Sequence, residues 1–82
     1  MDKLINEFDE IIRWPKKRLE QNFIIEWLSK KFEIDRNYSE KEINQIIKYS
    51  HIFSDVPLLR RELISKKYLA RKADGSQYWK IN

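Results

Sequence analysis

The chain has 82 residues with a net charge of +4 at pH 7, 41% of them hydrophobic and 37% charged, and it has no cysteine. That length supports one small core, and the apolar share with its eleven aromatics excludes a disordered chain. The lack of cysteine excludes a disulfide framework or thiolate metal site, and no apolar run approaches the ~20 residues of a membrane span.

The first dozen residues alternate acidic and apolar side chains instead of running basic then apolar, so they do not read as a signal peptide. The expectation is a cytoplasmic protein without a membrane partner. Residues 1–12 hold one basic and four acidic side chains, net −3, whereas residues 13–82 hold sixteen basic and nine acidic, net +7. A basic body of this kind suits an anionic partner, although ordinary solubilising charge would look the same.

Leu4, Ile5, Phe8, Ile11 and Ile12 recur at the spacing of one helical face, which predicts an amphipathic helix from about Asp2, its cap, to Arg13. Its narrow apolar stripe must lie on the body or on another molecule, so it either packs on its own domain or forms a homodimer contact. Trp14-Pro15 ends it, because the residue before proline is pushed out of helical space. Residues 1–13 are therefore set apart from a body spanning residues 14–82.

Pro15-Lys16-Lys17-Arg18 is a basic turn opening a second helix that runs to about Phe32, with Ile24, Ile25, Leu28 and Phe32 as a core stripe widened by Phe23 and Trp27. The polar connection Glu33 to Tyr38 has room for a short strand at its end. Ser39-Glu40-Lys41-Glu42 is a capping box, with Tyr38 and Ile43 at the staple positions around it. The helix it starts turns Ile43, Ile46 and Ile47 inward and ends near Tyr49. After a turn over residues 50–54, Ser54 or Asp55 caps a last helix with Pro57 in its first turn and Val56, Leu59 and Leu63 buried. It ends near residues 65–67, where Lys66 and Lys67 suit the carboxyl-terminal dipole.

From Tyr68 the period changes to two, and Ala73-Asp74-Gly75 is a hairpin turn. A three-residue loop with a bulge at Gly75 pairs Leu69 with Trp79 and sends both inward; a two-residue loop pairs Leu69 with Lys80. The first is expected, because it buries more apolar surface. The order is a mainly helical α+β domain, winged-helix-like, with a three-helix body, a carboxyl-terminal β-hairpin wing and an extra amino-terminal helix.

Four segments also stand in a shared order: residues 13–18 (RWPKKR), 38–44 (YSEKEIN), 59–63 (LRREL) and 75–79 (GSQYW). Together they resemble the bacterial domain of unknown function 2087 family over roughly Arg13 to Lys80. The resemblance implies a winged-helix-like fold, an association with transcriptional regulation and no enzymatic activity. The family pattern tends to place glycine where this chain has Lys67, so the last helix is expected to end differently here. The segment before Arg13 lies outside the resemblance.

No enzyme, metal or cofactor is expected from the residues either. There is one histidine, His51, read as a polar linker residue of the turn or a partly buried hydrogen-bonding one, and Glu40 and Glu42 are two apart, pointing to different sides of a helix. In a winged helix the last body helix enters the major groove and the hairpin touches the backbone. Arg60 and Arg61 lie on that helix, Arg71, Lys72, Gln77 and Lys80 on the hairpin, and Lys16, Lys17 and Arg18 in the basic turn. Arginine can read guanine bidentately and the other side chains can hold phosphates, which makes duplex DNA one candidate partner.

The second candidate is a protein. With Val56, Leu59 and Leu63 inward, Arg61 points away from the core, and Pro57, Leu58 and Ile64 share the outward face. Apolar residues around an arginine suit an interface core, as in an adaptor or inhibitor encoded by a phage or mobile element and docking on a host protein.

Overall fold

The computed structural model describes residues 3–81. Six elements follow one another: α1 (Arg18–Ser29), β1 (Asn37–Tyr38), α2 (Glu40–Lys48), α3 (Val56–Ser65), β2 (Leu69–Arg71) and β3 (Tyr78–Lys80). The strands form one antiparallel sheet in the order β1-β3-β2. The protein is a small α+β domain.

Local chemistry sets the helix boundaries. At α2 the capping box forms in full: Glu42 N–H donates to Ser39 Oγ at 3.1 Å, and Ser39 N–H donates to Glu42 Oε1 at 2.9 Å. Two of the four helix donors that would otherwise lack partners are dealt with in this way. The flanking Tyr38 and Ile43 are both buried, as a staple requires. Asp55, not Ser54, caps α3, its Oδ1 accepting from Leu58 N–H at 3.2 Å.

At its other end α3 closes as a glycine-terminated helix does. Lys67 takes a φ of +65°, with Lys67 N–H on Ile64 O and Tyr68 N–H on Leu63 O, both at 3.0 Å. The expected departure at this position is therefore corrected: lysine adopts the left-handed conformation, and the two bonds offset a steric cost on the order of 1 kcal/mol.

The core forms where the three helices meet the inner face of the sheet. Ile24, Ile25 and Leu28 of α1, Ile43 and Ile47 of α2, and Leu59 and Leu63 of α3 are all fully buried. Phe32, Tyr38, Leu69 and Tyr78 close it on the sheet side. Phe32 and Tyr38 meet edge to face at 5.6 Å, and the Tyr38 hydroxyl accepts from Glu33 N–H at 2.7 Å. The predicted widening of α1 is only half right, since Phe23 is 53% exposed while Trp27 is half-buried beneath Lys31.

The amino-terminal helix does not form over the described residues, and its expected cap Asp2 lies outside them. Residues 4–12 instead double back as a narrow hairpin. Ile12 N–H donates to Leu4 O at 2.8 Å, and Ile5 bridges Ile11. Asn6 turns the chain by accepting from both Phe8 N–H and Glu10 N–H, and Asp9 takes a φ of +65°. Asparagine and aspartate both favour such local bonds and left-handed backbone over a helix interior.

This hairpin packs on its own body. Ile11 N–H donates to Ser50 O at 2.7 Å and Ile52 N–H to Ile11 O at 3.0 Å, while Asp9 holds Lys31 at 2.9 Å. Leu4 and Ile11 are buried, but Phe8 is 74% exposed, so the expected stripe is split. The helical homodimer contact is corrected with it: the helix that was to provide it is absent from the described residues.

The carboxyl-terminal hairpin takes the register that was not expected. Leu69 pairs with Lys80, Ala70 with Trp79 and Arg71 with Tyr78, and Lys72 N–H closes on Gln77 O beyond a turn carrying Gly75 at φ +75°. A shift of one residue exchanges the two faces of a strand. Tyr78 therefore points inward, 1% exposed, and Trp79 lies on the outer face, 36% exposed. Tyr78 can be buried because its hydroxyl finds a carboxylate: it donates to Glu40 Oε1 at 2.9 Å.

Candidate functional site

The register of the hairpin places Arg71 on the same face as Leu69 and Tyr78, so the strand carries it past the core toward α3. There it meets the outward face of α3. Pro57, Arg60, Arg61, Ile64, Arg71 and Tyr78 line a cavity of about 260 Å³ between helix and hairpin. A second, shallower depression of about 500 Å³ adjoins it between α2 and α3, lined by Glu40, Lys41, Asn44, Gln45, Lys48, Val56, Pro57 and Arg60. Pro57 and Arg60 are common to both.

The three arginines differ in freedom. Arg60 is held: its Nη1 donates to Asn44 Oδ1, its Nε lies 4.0 Å from Glu40 Oε1, and its side chain is 26% exposed. Arg61, the next residue, is exposed at the rim of the cavity. Arg71 is exposed, with its guanidinium beside the Tyr78 hydroxyl; Gly75 lies against it, since a Cβ there would stand 3.7 Å from Arg71 Nη1 and 3.9 Å from Glu40 Oε1. Burial pushes the Tyr78 phenol above its ordinary range, and its hydrogen bond to Glu40 pushes the same way, with Arg71 opposing both.

The remaining candidates do not converge. Lys72 is exposed and Gln77 and Lys80 are half-buried on the hairpin, and none of the three lines the cavity. Lys16, Lys17 and Arg18 are exposed at the start of α1, where the Lys17 cap position makes no side-chain bond. The alternative apolar surface is also reduced. Leu58 and Ile64 are half-buried rather than exposed, and Ile64 packs against the core, leaving Pro57 and Arg61 open.

Glu40, Lys41, Asn44, Gln45, Lys48 and Tyr78 belong to the site and were not among its expected residues. A signal was present for the α2 group, because residues 41, 44, 45 and 48 recur at helical spacing on the face opposite Ile43 and Ile47. His51 is buried, with Nδ1 on Ile47 O at 2.7 Å and Nε2 accepting from Asp55 N–H at 2.9 Å. It joins the end of α2 to the cap of α3, which is the hydrogen-bonding alternative expected of it and not the polar linker.

A family model covering uncharacterized proteins conserved in bacteria, domain of unknown function 2087, matches residues 10–80. The chain belongs to that family. All six elements of the domain of unknown function 2087 match lie inside those bounds, whereas most of the amino-terminal hairpin precedes them. No curated protein and no solved structure matches the chain. Among the described residues no helix is long and apolar enough to cross a membrane, and no group of three His, Cys, Asp or Glu is placed to hold a metal ion.

Proposed function

We propose that this member of the domain of unknown function 2087 family is a winged-helix module that binds duplex DNA, in association with transcription and without catalysis. The element order α1-β1-α2-α3-β2-β3 and the sheet order β1-β3-β2 support the winged-helix reading, with α3 as the reading helix and the β2–β3 hairpin as the wing. The observation that carries the function is charge. Lys41, Lys48, Arg60, Arg61 and Arg71, from three separate elements, line the adjoining depressions, and Glu40 is the one acidic residue among those lining them.

Three of these five are arginines, whose guanidinium keeps its charge and offers only donors, so the set suits binding an anion. Arg61 and Arg71 are exposed at the cavity between α3 and the hairpin, and Lys41 and Lys48 are exposed on α2 beside it, which suits contacts to a phosphate backbone. Protein docking through the outward face of α3 would need an open apolar patch there, and half-burial of Leu58 and Ile64 reduces it.

Fluorescence anisotropy of a labelled duplex over a range of salt tests the reading. Each phosphate neutralised contributes roughly −0.9 to the slope of log K against log salt, so three to five contacts predict a slope of about −2.7 to −4.5. A flat salt response, or no binding at micromolar protein and low salt, rules the function out.

A further inference from the structure

We propose that the cavity between α3 and the hairpin is a phosphoryl-binding site, with Arg61 and Arg71 as the clamp and the neighbouring Glu40 as an anion that sets its strength. The site deepens the duplex-binding reading by naming where a backbone phosphate seats, but a small anion can probe it without any duplex.

Three arginines line one cavity of about 260 Å³. Like charges gathered in so small a space repel, and the fold meets this with a single carboxylate. Glu40 Oε1 accepts the Tyr78 hydroxyl at 2.9 Å, lies 4.0 Å from Arg60 Nε, and shares the contact surface of Gly75 with Arg71 Nη1. Tyr78, with its ring buried and its hydroxyl on Glu40, fixes that carboxylate in place.

The neutralisation is incomplete, since three arginines line the cavity and the one carboxylate lies against Arg60 and beside Arg71. Asn44 takes up the Nη1 of Arg60 with a neutral oxygen, so it adds a hydrogen bond and no charge. Arg61 and Arg71 are left exposed at the rim and carry the excess. Two guanidinium forks from different elements, converging on a concavity, match the tetrahedral oxygens of a phosphoryl group. Pro57 and Ile64 in the cavity lining offer the ester or sugar carbons of such a ligand an apolar surface.

Glu40 then acts against the ligand. It lies beside Arg60 and Arg71 and repels an incoming phosphate, so removing its charge without altering its shape strengthens binding. Glu40→Gln keeps an oxygen to accept the Tyr78 hydroxyl and leaves the Ser39–Glu42 capping box untouched.

The test is a proton–nitrogen NMR titration that includes the arginine side-chain signals. Inorganic phosphate and thymidine 5′-monophosphate are the two probes, at ionic strength matched with chloride. Saturable shifts at Arg61, Arg71 and Tyr78 are expected, absent with chloride alone and lost in Arg71→Gln. Glu40→Gln should tighten phosphate binding roughly three- to tenfold, as removal of one nearby like charge does. A larger response to the nucleotide than to inorganic phosphate would assign the apolar lining to the ester side.

Shifts spread equally over Lys16, Lys17 and Arg18, or an unchanged affinity in a folded Glu40→Gln, would overturn the site. A duplex titration of the same variants separates the two readings. Duplex binding indifferent to Arg61→Gln and Arg71→Gln removes the site and leaves the function. Phosphate binding at the site without duplex binding does the reverse.

Discussion

The molecule carries two concentrations of positive charge, and they are built in opposite ways. Lys16, Lys17 and Arg18 are consecutive, exposed and placed at the start of α1, where the helix dipole is itself positive. Arg60, Arg61 and Arg71 come from a helix and a strand and line one cavity, with a carboxylate against Arg60 and beside Arg71. The first is charge by adjacency and the second is charge by folding. Only the second fixes guanidinium groups by contacts, Arg60 on Asn44 and Glu40 and Arg71 on the Tyr78 hydroxyl, and a fixed direction is what distinguishes a site from a solvated stretch.

The sharpest way to break the comparison is to remove the frame under the folded cluster. Leu59 is fully buried and sets the face α3 presents. Leu59→Ala should cost about 3 kcal/mol of stability in chemical denaturation, within the range for buried leucine. The variant should lose binding through the convergent cluster as α3 loosens. Retention of full stability would mean α3 is not anchored there.

Reversing a charge in each group comes next. Arg61→Glu should weaken duplex binding by about tenfold or more and flatten its salt slope, whereas Lys16→Glu should change affinity by less than about threefold. Equal losses in anisotropy measurements would make adjacency as good as convergence.

Smaller effects test how α2 and α3 are held. Ser39→Ala removes one half of the capping box and should lower stability by about 1 kcal/mol by thermal unfolding. The same box has a pH signature. Bonds from the Ser39 amide, then its hydroxyl, hold the Glu42 carboxyl below its ordinary value. A depressed folded-state value means the contribution is present above the unfolded value and lost as pH falls through the folded one. Helical signal from α2 should therefore fade in acid in the parent and less so in Glu42→Gln. Smallest is Lys67→Gly, which relieves the left-handed strain and should stabilise by under about 1 kcal/mol, net of the entropy glycine adds to the unfolded chain.

Much of this frame could be read from the residues in order. The core stripes of α1, α2 and α3 repeat at helical spacing, and the capping box is local chemistry that a sequence states outright. The amino-terminal segment misled because its apolar spacing fits a helix while Asn6 and Asp9 bend it by hydrogen bonds and backbone that apolar periodicity does not register. The hairpin register turned on a tertiary partner: Tyr78 goes inward because Glu40, 38 residues away, accepts its hydroxyl.

For the same reason the cavity was only partly legible. Arg60 and Arg61 were visible as a pair, but that Arg60 is occupied by Asn44 and Glu40 depends on how α2 crosses α3. Arg71 joins them through a register that sequence alone left between two choices.

The amino-terminal hairpin has a consequence for motion. Its two rungs at Ile11 bind the backbone on either side of His51, at Ser50 and Ile52, and His51 in turn holds both Ile47 and Asp55. The turn between α2 and α3, the natural hinge of the domain, is thus splinted from outside and pinned from within. In the proposed duplex-binding role, a helix braced this way would arrive already oriented, so its ordering cost would fall on folding and not on association. Hydrogen exchange would register the splint directly, as slow exchange at the Ile11 and Ile52 amides that tracks opening of the whole domain.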